Sequence, residues 1–128
     1  MSYPDPNDLD SVHMDIDKYP YVDDPDNSWH DIRQTGQGVC RDYVLAFLHA
    51  LLALGWPLAS LRIGIVLVEP ANRLPDQTHA LLVVDNDKIL DIRQQTICTV
   101  DDLNHIGYTP VGIQEEGGSK TFVKWSWV

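Results

Sequence analysis

The sequence predicts a single α+β domain in which one buried helix packs against an antiparallel β-sheet. Three observations carry this. Residues 40–54 form an almost unbroken apolar block between a glycine loop and a Gly55-Trp56-Pro57 stop. Beyond it the pattern changes to short runs rich in β-branched residues. Two of these runs are joined by Asp85-Asn86-Asp87, a turn-forming string. At 128 residues and 44% hydrophobic, the chain has the length of one domain and can bury roughly two-thirds of its unfolded surface, enough for a core without disulfides or a structural metal.

The chain begins with an acidic segment. Aspartates occupy positions 5, 8, 10, 15, 17, 23, 24, 26 and 31, and Lys18 is the only Lys or Arg among them. Such a segment repels itself, so residues 1–27 are expected to form an acidic arm whose first ten residues at least are mobile. Its apolar residues, Val12, Met14, Ile16 and Tyr19 among them, could pack on the domain, while His13 reads as a solvated surface histidine. The domain proper is expected over 28–128. Gly36 and Gly38 let the backbone turn tightly before the apolar block starts at Cys40. That block is apolar on nearly every side, which places the helix at the centre of the fold. Gly55 and Pro57 end it.

Residues 61–68 and 79–84 then read as strands separated by a loop containing Pro and Asn. The Asp85-Asn86-Asp87 turn leads into a third strand over 88–92. The last run, 121–128, alternates with Val123, Trp125 and Trp127 on one side, which reads as a final strand with its tryptophans in the core.

Composition excludes several classes of function. Nine Lys plus Arg against nineteen Asp plus Glu leave a net charge of −10, the wrong sign for DNA, RNA or an anionic membrane surface. The longest apolar run, 43–54, is interrupted by His49 and is well short of the ~20 residues needed to cross a bilayer. The first ten residues carry Pro4, Asp5, Pro6, Asp8 and Asp10 where a secretory signal would carry basic and then apolar residues, so a cytoplasmic protein is expected. In a reducing compartment its two cysteines, Cys40 and Cys98, are unpaired thiols.

Cys40 stands where a glycine loop meets a helix, and the partial positive charge of the helix N-terminus favours its thiolate. The dipole is worth about 0.3–1 kcal/mol, up to ~2 when partly buried, or about one pH unit for a thiol titrating near ~8.5. An efficient nucleophile therefore needs an imidazole as well. His49, nine residues on, faces roughly the opposite side of the helix. His13 and His105 lie in polar stretches, and His30 rides on the loop before the helix. His79 opens a strand just before a core run, a rigid mounting for a base. Asp91, at the end of the next strand across the turn, can anchor the second imidazole nitrogen. Cys98, between Ile97 and Thr99, reads as a packing residue.

These residues resemble a known family. Gly38-Val39-Cys40-Arg41-Asp42-Tyr43, then Leu54-Gly55-Trp56-Pro57, His79-Ala80-Leu81-Leu82-Val83 and Leu90-Asp91 are similar to the bacterial transglutaminase-like cysteine peptidases, relatives of the periplasmic biofilm-adhesin protease. Trp29 falls near a family tryptophan, and Tyr108-Thr109-Pro110 fits a later family segment. The resemblance implies a papain-like, transglutaminase-like fold with Cys40 as nucleophile, His79 as base and Asp91 as orienter. Three positions depart from the family pattern. Val39 and Arg41 replace acidic residues that serve a calcium site in the adhesin protease, and Ile92 replaces an Asn. Asp42 matches and reads as a first-turn acid satisfying the helix end.

The sequence thus points to a cysteine hydrolase, a peptidase or amidase, working through an acyl-enzyme with Cys40, His79 and Asp91. No cofactor or metal is expected. The partner is a protein or peptide substrate, with a basic protein as a candidate partner for the acidic arm. Two other readings share the fold: a non-catalytic protein-binding module, and acyl transfer to an amine as in transglutaminases. A metal site built from Cys40, His79 and Asp91 is disfavoured by the lack of a close-spaced ligand pair such as Cys-x-x-Cys.

Overall fold

A computed structural model describes residues 5, 7–20, 31–67, 78–117 and 120–126. Trp29, His30, the loop expected over 69–77 and Trp127 lie outside them. Among the described residues the helices are α1 (Asn7–Asp17), α2 (Ile32–Thr35), α3 (Cys40–Ala53) and α4 (Val100–His105). The strands are β1 (Leu61–Leu67), β2 (Thr78–Val84), β3 (Lys88–Leu90), β4 (Cys98–Thr99), β5 (Thr109–Gln114) and β6 (Phe122–Lys124). They form one sheet in the order β4-β3-β2-β1-β5-β6, every neighbouring pair antiparallel. This is the α+β architecture the sequence predicts.

The core has two parts. On one face of the sheet, Leu61 and Ile63 of β1, Ala80, Leu82 and Val84 of β2 and Leu90 of β3 meet Val44, Phe47 and Leu51 of α3 and Leu9, Val12 and Ile16 of α1. On the other face, Leu81 and Val83 of β2 and Ile89 of β3 meet Leu103 of α4, Tyr108 and Ile113. Strand β2 is therefore covered on both sides, which is why its sequence is an unbroken apolar run instead of an alternating one. Each fully buried Leu, Phe or Val contributes about 1.5–3 kcal/mol. The β2–β3 hairpin turns through Asp85 and Asn86, both at positive φ (53° and 61°). That conformation suits the right-handed strand twist, and Asn and Asp tolerate it best after glycine.

Helix α3 is set at both ends. Asp42 caps its start, its carboxylate accepting from the Val39 N–H at 3.0 Å. Gly38 sits against that cap so closely that a Cβ would lie 2.5 Å from Asp42 Oδ2. Gly55 ends the helix in the left-handed region (φ 96°).

Three expectations need correction. The acidic segment packs on the domain over α1, as Val12 and Ile16 allowed: Leu9, Val12, His13 and Ile16 are buried, and the Trp56 indole donates to Asp8 at 3.1 Å. Residues 7–10, expected mobile, lie inside this helix. The spacing 9, 12, 13, 16 is an amphipathic stripe, and its packing on α3 outweighs aspartate repulsion because Asp10, Asp15 and Asp17 are exposed. Helix α3 is also not covered throughout, for Leu52 and Leu54 at its C-terminal end are exposed. Finally, β6 is a sheet edge, so Val123 is exposed while Trp125 packs against the second core.

Candidate active site

The three residues singled out from the sequence come together. Cys40 is the first residue of α3, His79 is the second of β2, and Asp91 directly follows β3. Pairing of β2 with β3 sets Leu82 opposite Leu90, which brings the residue beyond Leu90 alongside His79. Asp91 Oδ1 lies 2.5 Å from His79 Nε2. A carboxylate oxygen accepts, so Nε2 carries the proton, leaving the other ring nitrogen for the thiol of Cys40, to which His79 is hydrogen-bonded. His79 and Asp91 are 5% and 1% exposed, and Cys40 is half-buried.

The electrostatics favour a charged pair. Burial resists ionisation of Cys40, yet the hydrogen bond and charge of His79 and the backbone N–H groups of Ala80 and Arg41 hold the thiol below its ordinary value. The Ala80 N–H lies 3.4 Å from the sulfur. Burial likewise resists the imidazolium, but the bonds and charges of Asp91 and Cys40 push His79 up to about 9. In contrast, Cys98 is pushed up by burial and by Asp102 and Asp91, and its thiol lies 3.6 Å from the Thr96 carbonyl. Only Cys40 sits in a thiolate-forming environment.

Asp91 is held by more than His79. The Arg93 N–H donates to Oδ1 at 2.9 Å and the Tyr108 hydroxyl to Oδ2 at 3.2 Å. Tyr108 also meets the His79 ring edge-on, with centroids 6.3 Å apart. Gln94 donates to the tyrosine oxygen at 3.3 Å. Sequence reasoning placed Tyr108 only within a family segment and did not assign it to the site. It also misread His13, which is buried, its Nε2 3.0 Å from the Asp91 carbonyl oxygen. The helical stripe with Leu9, Val12 and Ile16 is the signal that finds it.

The remaining histidines among the described residues stand apart. His49 faces away from Cys40 and bonds Asp31 at 2.9 Å. His105 is exposed beside Asp101. Asp42, the first-turn acid, is wholly buried and committed to the helix cap.

A half-buried thiol at a helix start, hydrogen-bonded to an imidazole that is itself held by a carboxylate, is the arrangement a thiol nucleophile requires. The sequence profile of the bacterial transglutaminase-like cysteine proteinases (BTLCP) matches residues 10–126, and the chain belongs to that family. A search of curated proteins finds no match. Among solved structures, calcium-bound LapG of Legionella pneumophila is similar at TM-score 0.75 and 22% identity, over 91% of this chain and 67% of that one. A second Legionella pneumophila LapG structure gives 0.74 with the same identity and coverage. The EGTA-treated form gives 0.69 at 20% identity, over 91% of this chain and 70% of the other. The shared fold is transglutaminase-like.

Proposed function

We propose that the protein hydrolyses amide bonds of a peptide or protein through an acyl-enzyme, with Cys40 as nucleophile, His79 as proton carrier and Asp91 as orienting acid. The supporting observation is the hydrogen-bonded succession from Cys40 to His79 to Asp91. The Cys40 thiolate attacks the carbonyl carbon, and the oxyanion takes hydrogen bonds from the Cys40 amide and a loop donor. The His79 imidazolium gives its proton to the departing amine as the C–N bond breaks, leaving a thioester. Neutral His79 then takes a proton from water, hydroxide adds to the thioester, and the acid leaves as the C–S bond breaks and the starting ion pair is restored. Asp91 keeps the imidazole in one tautomer throughout.

LapG is described as calcium-bound in one of its structures. Calcium takes about six to eight oxygen ligands. Beside Cys40 this chain has Val39 and Arg41, and the Asp42 carboxylate already accepts from Val39. Among the described residues no group of three or more His, Cys, Asp or Glu is disposed to hold a metal ion. These residues do not fit a calcium site, and no step is assigned to one.

The test is the pH dependence of Cys40 alkylation by iodoacetamide in a Cys98→Ser background, with and without His79→Ala. A midpoint well below that of a free thiol that rises when His79 is removed supports the ion pair. A free-thiol midpoint unchanged by the substitution sinks the reading. With a peptide substrate in hand, Cys40→Ala should fold and be inactive, and a product heavier by one water should distinguish hydrolysis from transfer to an amine.

A further inference from the structure

Helix α1 carries a polar ring into an otherwise apolar face. His13 is 2% exposed, among Leu9, Val12 and Ile16. Its Nε2 lies 3.0 Å from the Asp91 carbonyl oxygen, and because a carbonyl only accepts, that nitrogen bears the proton and donates. The ring stacks on Phe47, centroids 5.9 Å apart and planes at 19°. Phe47 stands seven residues beyond Cys40, about two turns, and so on the same face of α3. His13 therefore touches both the helix that presents the sulfur and the residue that presents the carboxylate.

An apolar residue would fill this position at no cost in desolvated polar groups. What the histidine adds is one donor aimed at one atom. That atom already closes a local turn by accepting from the Gln94 N–H at 3.0 Å. The turn alone fixes the shape of residues 91–94 but not their place relative to α3. The Nε2 bond supplies that second constraint from a residue 78 positions away.

We infer that His13 is a positioning residue for the site, setting through the Asp91 carbonyl where the Asp91 carboxylate meets His79. This rests on the hydrolase reading above, and the experiment separates the two. In the Cys98→Ser protein, the alkylation midpoint of Cys40 and the kcat and KM for a peptide substrate are measured for His79→Ala, His13→Phe, His13→Gln and His13→Asn. Phenylalanine keeps the ring and its stacking but lacks the donor. Glutamine returns an N–H at about the reach of Nε2, and asparagine is too short.

Expected for His13→Phe is a midpoint raised by about one pH unit, which is tenfold in thiolate population, with kcat lowered about tenfold and KM within about twofold. His13→Gln should lie within about threefold of the parent in kcat, and His13→Asn should behave like phenylalanine. A folded His13→Phe protein with the parent midpoint and kcat overturns the inference while leaving the hydrolase reading intact. Should that variant not fold, glutamine and asparagine variants with equal midpoints overturn it as well. A His79→Ala midpoint equal to the parent's overturns the hydrolase reading itself.

Discussion

Tyr108 donates its hydroxyl to Oδ2 of Asp91 at 3.2 Å, while the other carboxylate oxygen faces His79. The two oxygens thus have separate partners, one the His79 imidazole and the other the phenol on the β5 side of the sheet. Burial and the Asp91 charge push the phenol up, so the hydroxyl keeps its proton and stays a donor.

Tyr108→Phe removes that donor together with the oxygen that accepts from Gln94 at 3.3 Å. A lost hydrogen bond to a charged, buried acceptor costs about 1.5–3 kcal/mol. We expect a guanidinium unfolding midpoint lowered accordingly and kcat/KM reduced about three- to tenfold. Unchanged stability and turnover would show that Oδ2 needs no anchor.

The pH profile follows from the signs of the two shifts. Falling pH protonates Cys40, whose pKa lies below the ordinary thiol value, and rising pH strips His79 near about 9. The active form lies between them. Peptide hydrolysis should give a bell-shaped kcat/KM with its alkaline limb near pH 9 and its acid limb below the usual thiol range. An alkaline limb near 6.5 would mean that His79 is not held charged.

Gly38→Ala tests the cap. The new Cβ would lie 2.5 Å from Asp42 Oδ2 and 2.8 Å from Asp42 Cβ, so the loop or the cap must move. Overpacking of this kind costs about 1–3 kcal/mol. Because Asp42 is two residues from Cys40, the alkylation midpoint should rise together with the loss of stability. A variant with parent melting temperature and midpoint would show that the loop yields freely.

Asp31 binds Arg33 through two contacts, at 3.0 and 2.7 Å, and His49 at 2.9 Å. Burial opposes its charge, but these partners and the Arg33 N–H hold its carboxyl well below the usual range. A lowered acid stabilises the fold above its unfolded pKa, and the contribution is lost as pH falls through the folded one. Since Arg33 and His49 are well exposed, Asp31→Asn should cost only about 1 kcal/mol at neutral pH. That deficit should shrink as pH drops below the ordinary carboxylate range, and urea titrations at pH 7 and pH 3 measure the difference.

Much of this was legible in the sequence because it depends on short-range signals. The glycine loop and stop fix α3, the unbroken apolar run from Ala80 to Val84 marks β2, and Asp85-Asn86-Asp87 sets the hairpin that lays Asp91 beside His79. Strand β5 escaped because Pro110 and Gly112 mask its pattern, although β1 pairs with it through a register shift between Ile65 and Val66. Helix α1 escaped because its aspartates dominate the composition, while its buried stripe is four residues. The roles of Tyr108 and His13 depend on long-range packing onto one residue, Asp91, which local pattern does not encode.

Strand β2 provides both His79 and the Ala80 N–H that faces the sulfur, and it is the strand covered on both sides. Its amides should be among the slowest to exchange with deuterium, opening only when the whole domain opens. The imidazole and the N–H that face Cys40 are thus mounted on a segment expected to come apart last. Denaturant should abolish Cys40 reactivity toward iodoacetamide at low pH in the same transition that exposes the core, with no structured but chemically silent stage before it.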